Sequence, residues 1–185
     1  MTHPNILDIG KTALLVVDVQ EAFRNAIPDF ALVASRISTA VHGFQILGVP
    51  VIVTEQYPQG LGRTAEEIQL VVSEGNEPID KTSFSSYEAE TFVARLDDLG
   101  VSQILLCGLE THICVNQTAH DLLEHGFQVH ILTDCVASRF EQDRLAGLEK
   151  MSHSGVIESS TEMAFFELMR DAKHEKFKEI QALIK

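Results

Sequence analysis

Four short apolar runs, separated by helical patterns, constrain this chain more than any other feature. They are "TALLVVDV" at 12–19, "VPVIVT" at 49–54, "VSQILLC" at 101–107 and "FQVHILT" at 127–133. Each is rich in Val, Ile or Leu and lacks clear polar alternation. Such runs read as strands buried on both faces, the pattern of a parallel sheet. "GVIESS" at 155–160 is a shorter and weaker fifth run, and "EPIDK" at 77–81 reads as a further short strand. Residues 30–47 carry Leu32, Val33, Ile37, Val41, Phe44 and Leu47 at helical spacing, with stop signals at Gly48 and Pro50. Residues 88–99 place Ala89, Phe92, Val93 and Leu96 on one helical face. Residues 112–125 do the same with Val115, Ala119 and Leu122, ending at Gly126. Residues 141–152 and 161–184 also read as helical, the latter broken near Asp171.

Strand alternating with helix implies a three-layer α/β/α domain, doubly wound, with a mainly parallel sheet of five to six strands. A length of 185 residues suits one domain over 1–185. Sites in such domains gather at the carboxyl ends of the strands.

Charge narrows the partners. Acidic residues outnumber basic ones by 27 to 14, a formal charge of −13. Binding to a phosphate backbone rests on clustered Lys and Arg, so no nucleic-acid partner is expected. No apolar run is long enough for a membrane span, and "MTHPNILDIGKT" lacks a signal-peptide pattern. The cysteines are three, Cys107, Cys114 and Cys135, without C-x-x-C spacing. A reduced, cytoplasmic protein is the simplest account.

Three residues stand out at the strand ends. Asp18 closes the first run after five apolar residues, where a carboxylate needs either a structural partner or a function. Lys81 lies in "EPIDKTSFSSYE", just before Phe84 and Tyr87; a lone lysine is more often solvated. Cys107, inside an apolar run, reads as a small core hydrophobe, and Cys135, after the next strand, reads as structural. Cys114 falls in the first turn of a helix. With Thr111 as N-cap, His112, Ile113 and Cys114 take the positions whose N–H groups lack intrahelical partners. That end favours a thiolate and a lowered thiol pKa, and its N–H groups suit an oxyanion. His112 does not face Cys114 on a helix, so it is not read as the base.

Other motifs carry less. "GLGRTA" at 60–65 fits G-x-G-x-x-A but lies beyond the second strand, not in a tight first turn. No phosphate-loop motif occurs. His120 and His125 are five apart and do not form a zinc pair.

Taken in order, "ALLVVDVQEAF", "DKTSFSSYE" and "LCGLETHICVNQTAHDLLEHGFQVHILTDCVAS" resemble the isochorismatase-like hydrolase superfamily, from about residue 10 to residue 160. "TEQYP" and "GLG" resemble its isochorismatase-domain proteins, most of which lack an assigned substrate. The resemblance implies a Rossmann-like fold, a homo-oligomer and, in the cysteine-hydrolase branch, a catalytic Asp–Lys–Cys triad. Here those residues are Asp18, Lys81 and Cys114. It implies backbone N–H donors to an oxyanion at Glu110 and Cys114, and a cis peptide at Leu109–Glu110. Nicotinamidases of the superfamily carry an Asp-x-His metal motif after the second strand. "TEQYPQGLG" has no histidine, so no metal and no other cofactor is expected. Isochorismatases that cleave a vinyl ether do not use the nucleophilic cysteine, and Cys114 argues against that chemistry. The expected activity is metal-independent hydrolysis of a small amide, or another C–N or acyl bond, through an acyl-enzyme on Cys114. Phe23, Tyr57, Phe84 and Tyr87 read equally as pocket residues or as plain core packing, and Gln20 as a polar group behind the site. The alternatives are a catalytically idle oligomeric scaffold or a hydrolase of isochorismate-like ethers.

Overall fold

A computed structural model describes residues 3–185. In chain order its elements are β1 Thr12–Val17, α1 Phe30–Ile46, β2 Val51–Gln56, α2 Pro58–Leu61, α3 Glu66–Gln69, β3 Ile79–Lys81, α4 Glu90–Leu99, β4 Gln103–Leu109, a π-helical turn Thr111–Val115, α5 Asn116–Glu124, β5 Gln128–Ala137, α6 Glu141–His153, β6 Ile157–Ser159, α7 Thr161–Met169 and α8 Phe177–Leu183. The six strands form one sheet in the order β3-β2-β1-β4-β5-β6, and every pairing is parallel.

The unbroken apolar runs are explained by what covers each face. Leu14, Val16, Val51, Val53 and Leu105 pack with α1, α7 and α8. Their alternates Ala13, Leu15, Val17, Ile52, Ile104 and Leu106 pack with α4, α5 and α6. Both sides of β1 and β4 are therefore in core, which gives the three expected layers. Chain order reverses between β1 and β4. The carboxyl ends of these two strands flank the crevice where sites form in such sheets.

The boundaries depart from expectation in physical ways. β1 stops at Val17 because Asp18 takes a left-handed backbone, φ 52°. β5 continues to Ala137, past a register shift opposite Leu106 and Gly108, so Cys135 lies inside the strand rather than after it. The segment 161–184 is, as expected, broken near Asp171 into two helices. Arg170, at φ 63°, ends the first. No described helix is long and apolar enough to cross a membrane.

Candidate active site

The ends of β1, β3 and β4 bring the three predicted residues into one region. Asp18 directly follows β1, Lys81 ends β3 and Cys114 sits in the π-helical turn after β4. Asp18 Oδ2 accepts from Lys81 Nζ at 2.7 Å, and the two side chains are 1% and 0% exposed. Asp18 Oδ1 accepts from the Thr54 hydroxyl at 2.8 Å. The ammonium also donates to Gln56 Oε1 at 3.0 Å and to the carbonyls of Phe84 at 3.1 Å and Ser83 at 3.2 Å. A buried ion pair persists only when its remaining donors and acceptors are met in this way.

Thr54 and Gln56 are two apart on β2, so they share a face and reach the pair together. Gln20 stands behind them. Its Nε2 donates to the carbonyls of Gln56 and Gly62, and its Oε1 accepts from the Gln56 N–H at 2.8 Å. Gln20 is fully buried. It fixes the strand end that carries Gln56 and has no amide atom left for a ligand.

Cys114 is 7% exposed and packs in the cluster that contains Val17, Phe92 and Val115. Burial pushes its thiol up to about 12; the Asp18 charge pushes the same way, and Lys81 opposes it. This corrects the expectation of a lowered pKa. A helix-end field acts on an exposed thiolate, whereas here desolvation and a facing carboxylate outweigh it. The resting thiol is protonated.

The turn itself is also different. The Glu110 carbonyl accepts from Ile113 N–H at 2.9 Å and from Val115 N–H at 3.4 Å; the second is the five-residue spacing of a π-turn. The N–H of Ile113 is thus occupied. Thr111 is not the cap: its hydroxyl donates to the Ala137 carbonyl at 3.0 Å and ties the turn to β5. No described peptide bond is cis, so Leu109–Glu110 is trans. The sharp exit from β4 is made instead by Gly108, at φ +129°, and by Glu110, at φ −21° and ψ 104°. A side chain at Gly108 would come within 2.1 Å of the Val17 carbonyl oxygen. Only glycine lets β4 approach β1 there. On the outer side, a Cβ at Gly147 of α6 would lie 2.9 Å from His112 Cα and 3.1 Å from the Thr111 carbonyl oxygen. That glycine sets how closely α6 backs the turn.

The aromatic candidates separate. Tyr57 and Phe84 are each 54% exposed. Tyr57 lines a hollow of about 530 Å³ with Lys81 and Ser83, and Phe84 lines an adjoining one of about 310 Å³ with Ser83 and Asn116. Tyr87 instead stacks on His125 at 4.0 Å and packs against the core with Phe92. Phe23 packs on the α1 side of the sheet, in the opposite core from Cys114. Both are packing residues. Thr54, Gln56 and Gly147 escaped the sequence reading. "VTEQ" did hold a signal, since polar residues closing an apolar strand need buried partners.

Near the end of β2, both carboxylate oxygens of Glu55 are taken by protein donors. Glu55 Oε1 accepts from Thr64 N–H and hydroxyl, and Oε2 from Arg63. Among the described residues no three His, Cys, Asp or Glu side chains converge as metal ligands.

A family model described as "Isochorismatase domain" matches residues 12–163. Isochorismatase domain-containing protein 1 of Salmo salar is 43% identical over 174 residues, covering 94% of this chain and 61% of that protein. The chain thus spans less than two thirds of that relative's length. A solved Caenorhabditis elegans structure, described as MAR1 ribonuclease, aligns at TM-score 0.92 and 36% identity, covering 97% of this chain and 92% of that one. Escherichia coli YcaC, described as an octameric hydrolase of unknown specificity, aligns at TM-score 0.91 and 22% identity over 100% and 91% of the two chains. At that identity the likeness is one of fold.

Proposed function

The chain belongs to the isochorismatase family, and from that premise we propose that it is a metal-independent cysteine hydrolase of a small amide, or of a related C–N or acyl bond. Family membership supports a hydrolase; the acyl-enzyme and the amide are our reading. The observation that carries it is the buried Asp18–Lys81 ion pair, with the buried Cys114 thiol close enough to feel both charges.

In the reaction, Cys114 Sγ attacks the substrate carbonyl carbon while its proton passes to Asp18. The nucleophile is thus generated during attack rather than stored as a thiolate. The carbonyl electron pair moves onto oxygen, where backbone N–H groups of Cys114 and Glu110 hold it. Collapse breaks the C–N bond, and Asp18 returns the proton to the leaving amine. Water then attacks the thioester and gives a proton to Asp18; the thiolate leaves and recovers it. The sum is amide plus water to acid plus amine. Lys81 keeps the Asp18 carboxylate oriented throughout. Tyr57 and Phe84 border the entry for a small-molecule substrate. The family resemblance is what favours a homo-oligomer, and three free cysteines support a reducing, cytoplasmic setting.

The test is a panel of small amides, isochorismate-like ethers and an RNA oligonucleotide, run on the parent and on Cys114→Ala. Amide hydrolysis lost in the variant is expected. Ether or RNA cleavage that survives Cys114→Ala would assign a different chemistry, and a protein inert on every class would be the idle scaffold. The charge of −13 argues against RNA.

A further inference from the structure

Three buried side-chain atoms lack a hydrogen-bond partner among the described residues: Glu110 Oε2, Asn116 Oδ1 and His130 Nε2. The first belongs to the residue that opens the nucleophile's turn. Its sister atom Oε1 accepts from the Arg139 N–H at 3.0 Å and faces Arg139 Nε at 3.3 Å. Oε2 faces His112 Nδ1 at 3.6 Å, beyond hydrogen-bond range. That nitrogen is 3.1 Å from the Ser138 hydroxyl. The other ring nitrogen lies 3.8 Å from Asp143 Oδ2 on α6. The imidazole therefore stands between carboxylates on two different elements. It belongs to the residue whose backbone α6 touches at Gly147.

We propose that His112 is a positioning residue, a proton-dependent strut that holds the Cys114 turn against α6. Protonated, its ring carries a donor on each nitrogen and a charge that attracts both Glu110 and Asp143. Glu110 Oε2 then has a counter-charge, and the turn is tied to α6 across the ring. Neutral, the ring has no charge and a single N–H, so it can no longer serve both carboxylates, and the only counter-charge left to Glu110 among the described residues is Arg139. The charged groups facing the strut are Glu110 before the turn, Arg139 on the β5–α6 link through Glu110, and Asp143 on α6. Among the described residues no other carboxylate lies within 4.0 Å of the ring. The effect on turnover rests on the reaction proposed above. The effect on the turn does not.

The experiment follows kcat and KM from pH 5.5 to 8.5 for the intact parent, His112→Asn and Asp143→Asn. It also follows iodoacetamide labelling of Cys114 in all three. In the parent, kcat should fall about fivefold between pH 5.5 and pH 8.5, with KM little changed. His112→Asn should stay at the lower value throughout, and Asp143→Asn should lose part of the step. For labelling, the parent-to-variant ratio should be about fivefold at pH 5.5 and near one at pH 8.5. Taking the ratio cancels the thiol's own pH slope. A variant slowed equally at every pH, or one keeping the parent's profile, overturns the strut. If no amide is turned over but the labelling ratio still changes with pH, the strut stands and the proposed reaction is what fails.

Discussion

Replacing Lys81 by Met keeps most of the stem but removes the cation that faces Asp18 at 2.7 Å. The loss is more than a single contact. Gln56 Oε1 and the Ser83 and Phe84 carbonyls lose their ammonium donor, and a carboxylate 1% exposed keeps neutral partners such as the Thr54 hydroxyl but loses its counter-charge. Removing one member of a buried pair costs about 3–5 kcal/mol, because the survivor is left buried and uncompensated. Total stability for a domain is on the order of 5–15 kcal/mol, so the variant should remain folded but be visibly weakened. The double variant Asp18→Asn, Lys81→Met removes both charges and should be more stable than the sum of the singles predicts, by about 2 kcal/mol or more. The chain has no Trp, so urea unfolding is best followed by circular dichroism. The reasoning fails if Lys81→Met costs under about 1 kcal/mol, the range of an exposed pair, or if the two changes add.

Other outcomes follow from the same geometry. Gly147→Ala should place a methyl about 0.5 Å too close to His112; overpacking of this kind costs about 1–3 kcal/mol, and displacement of the turn should lower kcat tenfold or more in a protein that still folds cooperatively. Unchanged kcat would mean that α6, not the turn, gives way. Labelling of Cys114 should outpace that of the fully buried Cys107 and Cys135 and climb about tenfold per pH unit from 7 to 10 without a plateau, because its thiol is pushed up to about 12. A plateau near neutrality would instead reveal a stored thiolate. Burial lowers His130 from 6.5 to about 4, so the unfolded chain binds the extra proton between those values and stability falls as pH drops through that window. At pH 5 the loss should be about 2 kcal/mol relative to pH 7. His130→Leu should abolish it; equal acid sensitivity in the two proteins would put the effect elsewhere.

The layered fold was legible because burial on both faces leaves unbroken apolar runs. Those runs located β1, β2, β4 and most of β5, and "EPIDK" held the short β3. The strand-end Asp18 was legible as a carboxylate needing a partner or a function, whereas Lys81 alone read as a solvated lysine. That they partner each other across 63 positions came only with the resemblance to a known family. The turn at Cys114 was misread for a definite reason. Side-chain spacing shows which face is apolar, but it does not distinguish a five-residue hydrogen bond from a four-residue one, and Thr111 fits the cap rule until β5 claims its hydroxyl. The direction of the Cys114 shift was missed for a related reason. The helix-end argument is local, whereas the deciding groups, Asp18 and the surrounding core, are distant in sequence. The sequence leaves Tyr87 open between the pocket and plain core packing; stacking on His125 and the edge contact with Phe92 turn it toward the core.

The central claim is that Cys114 carries the acyl group. Rapid quenching with an amide that is turned over, followed by intact mass and peptide mapping, tests it directly. The account predicts an added mass equal to the acyl portion, on the peptide containing Cys114 and absent from Cys114→Ala. Steady turnover with no adduct on Cys114, or an adduct elsewhere, would contradict it.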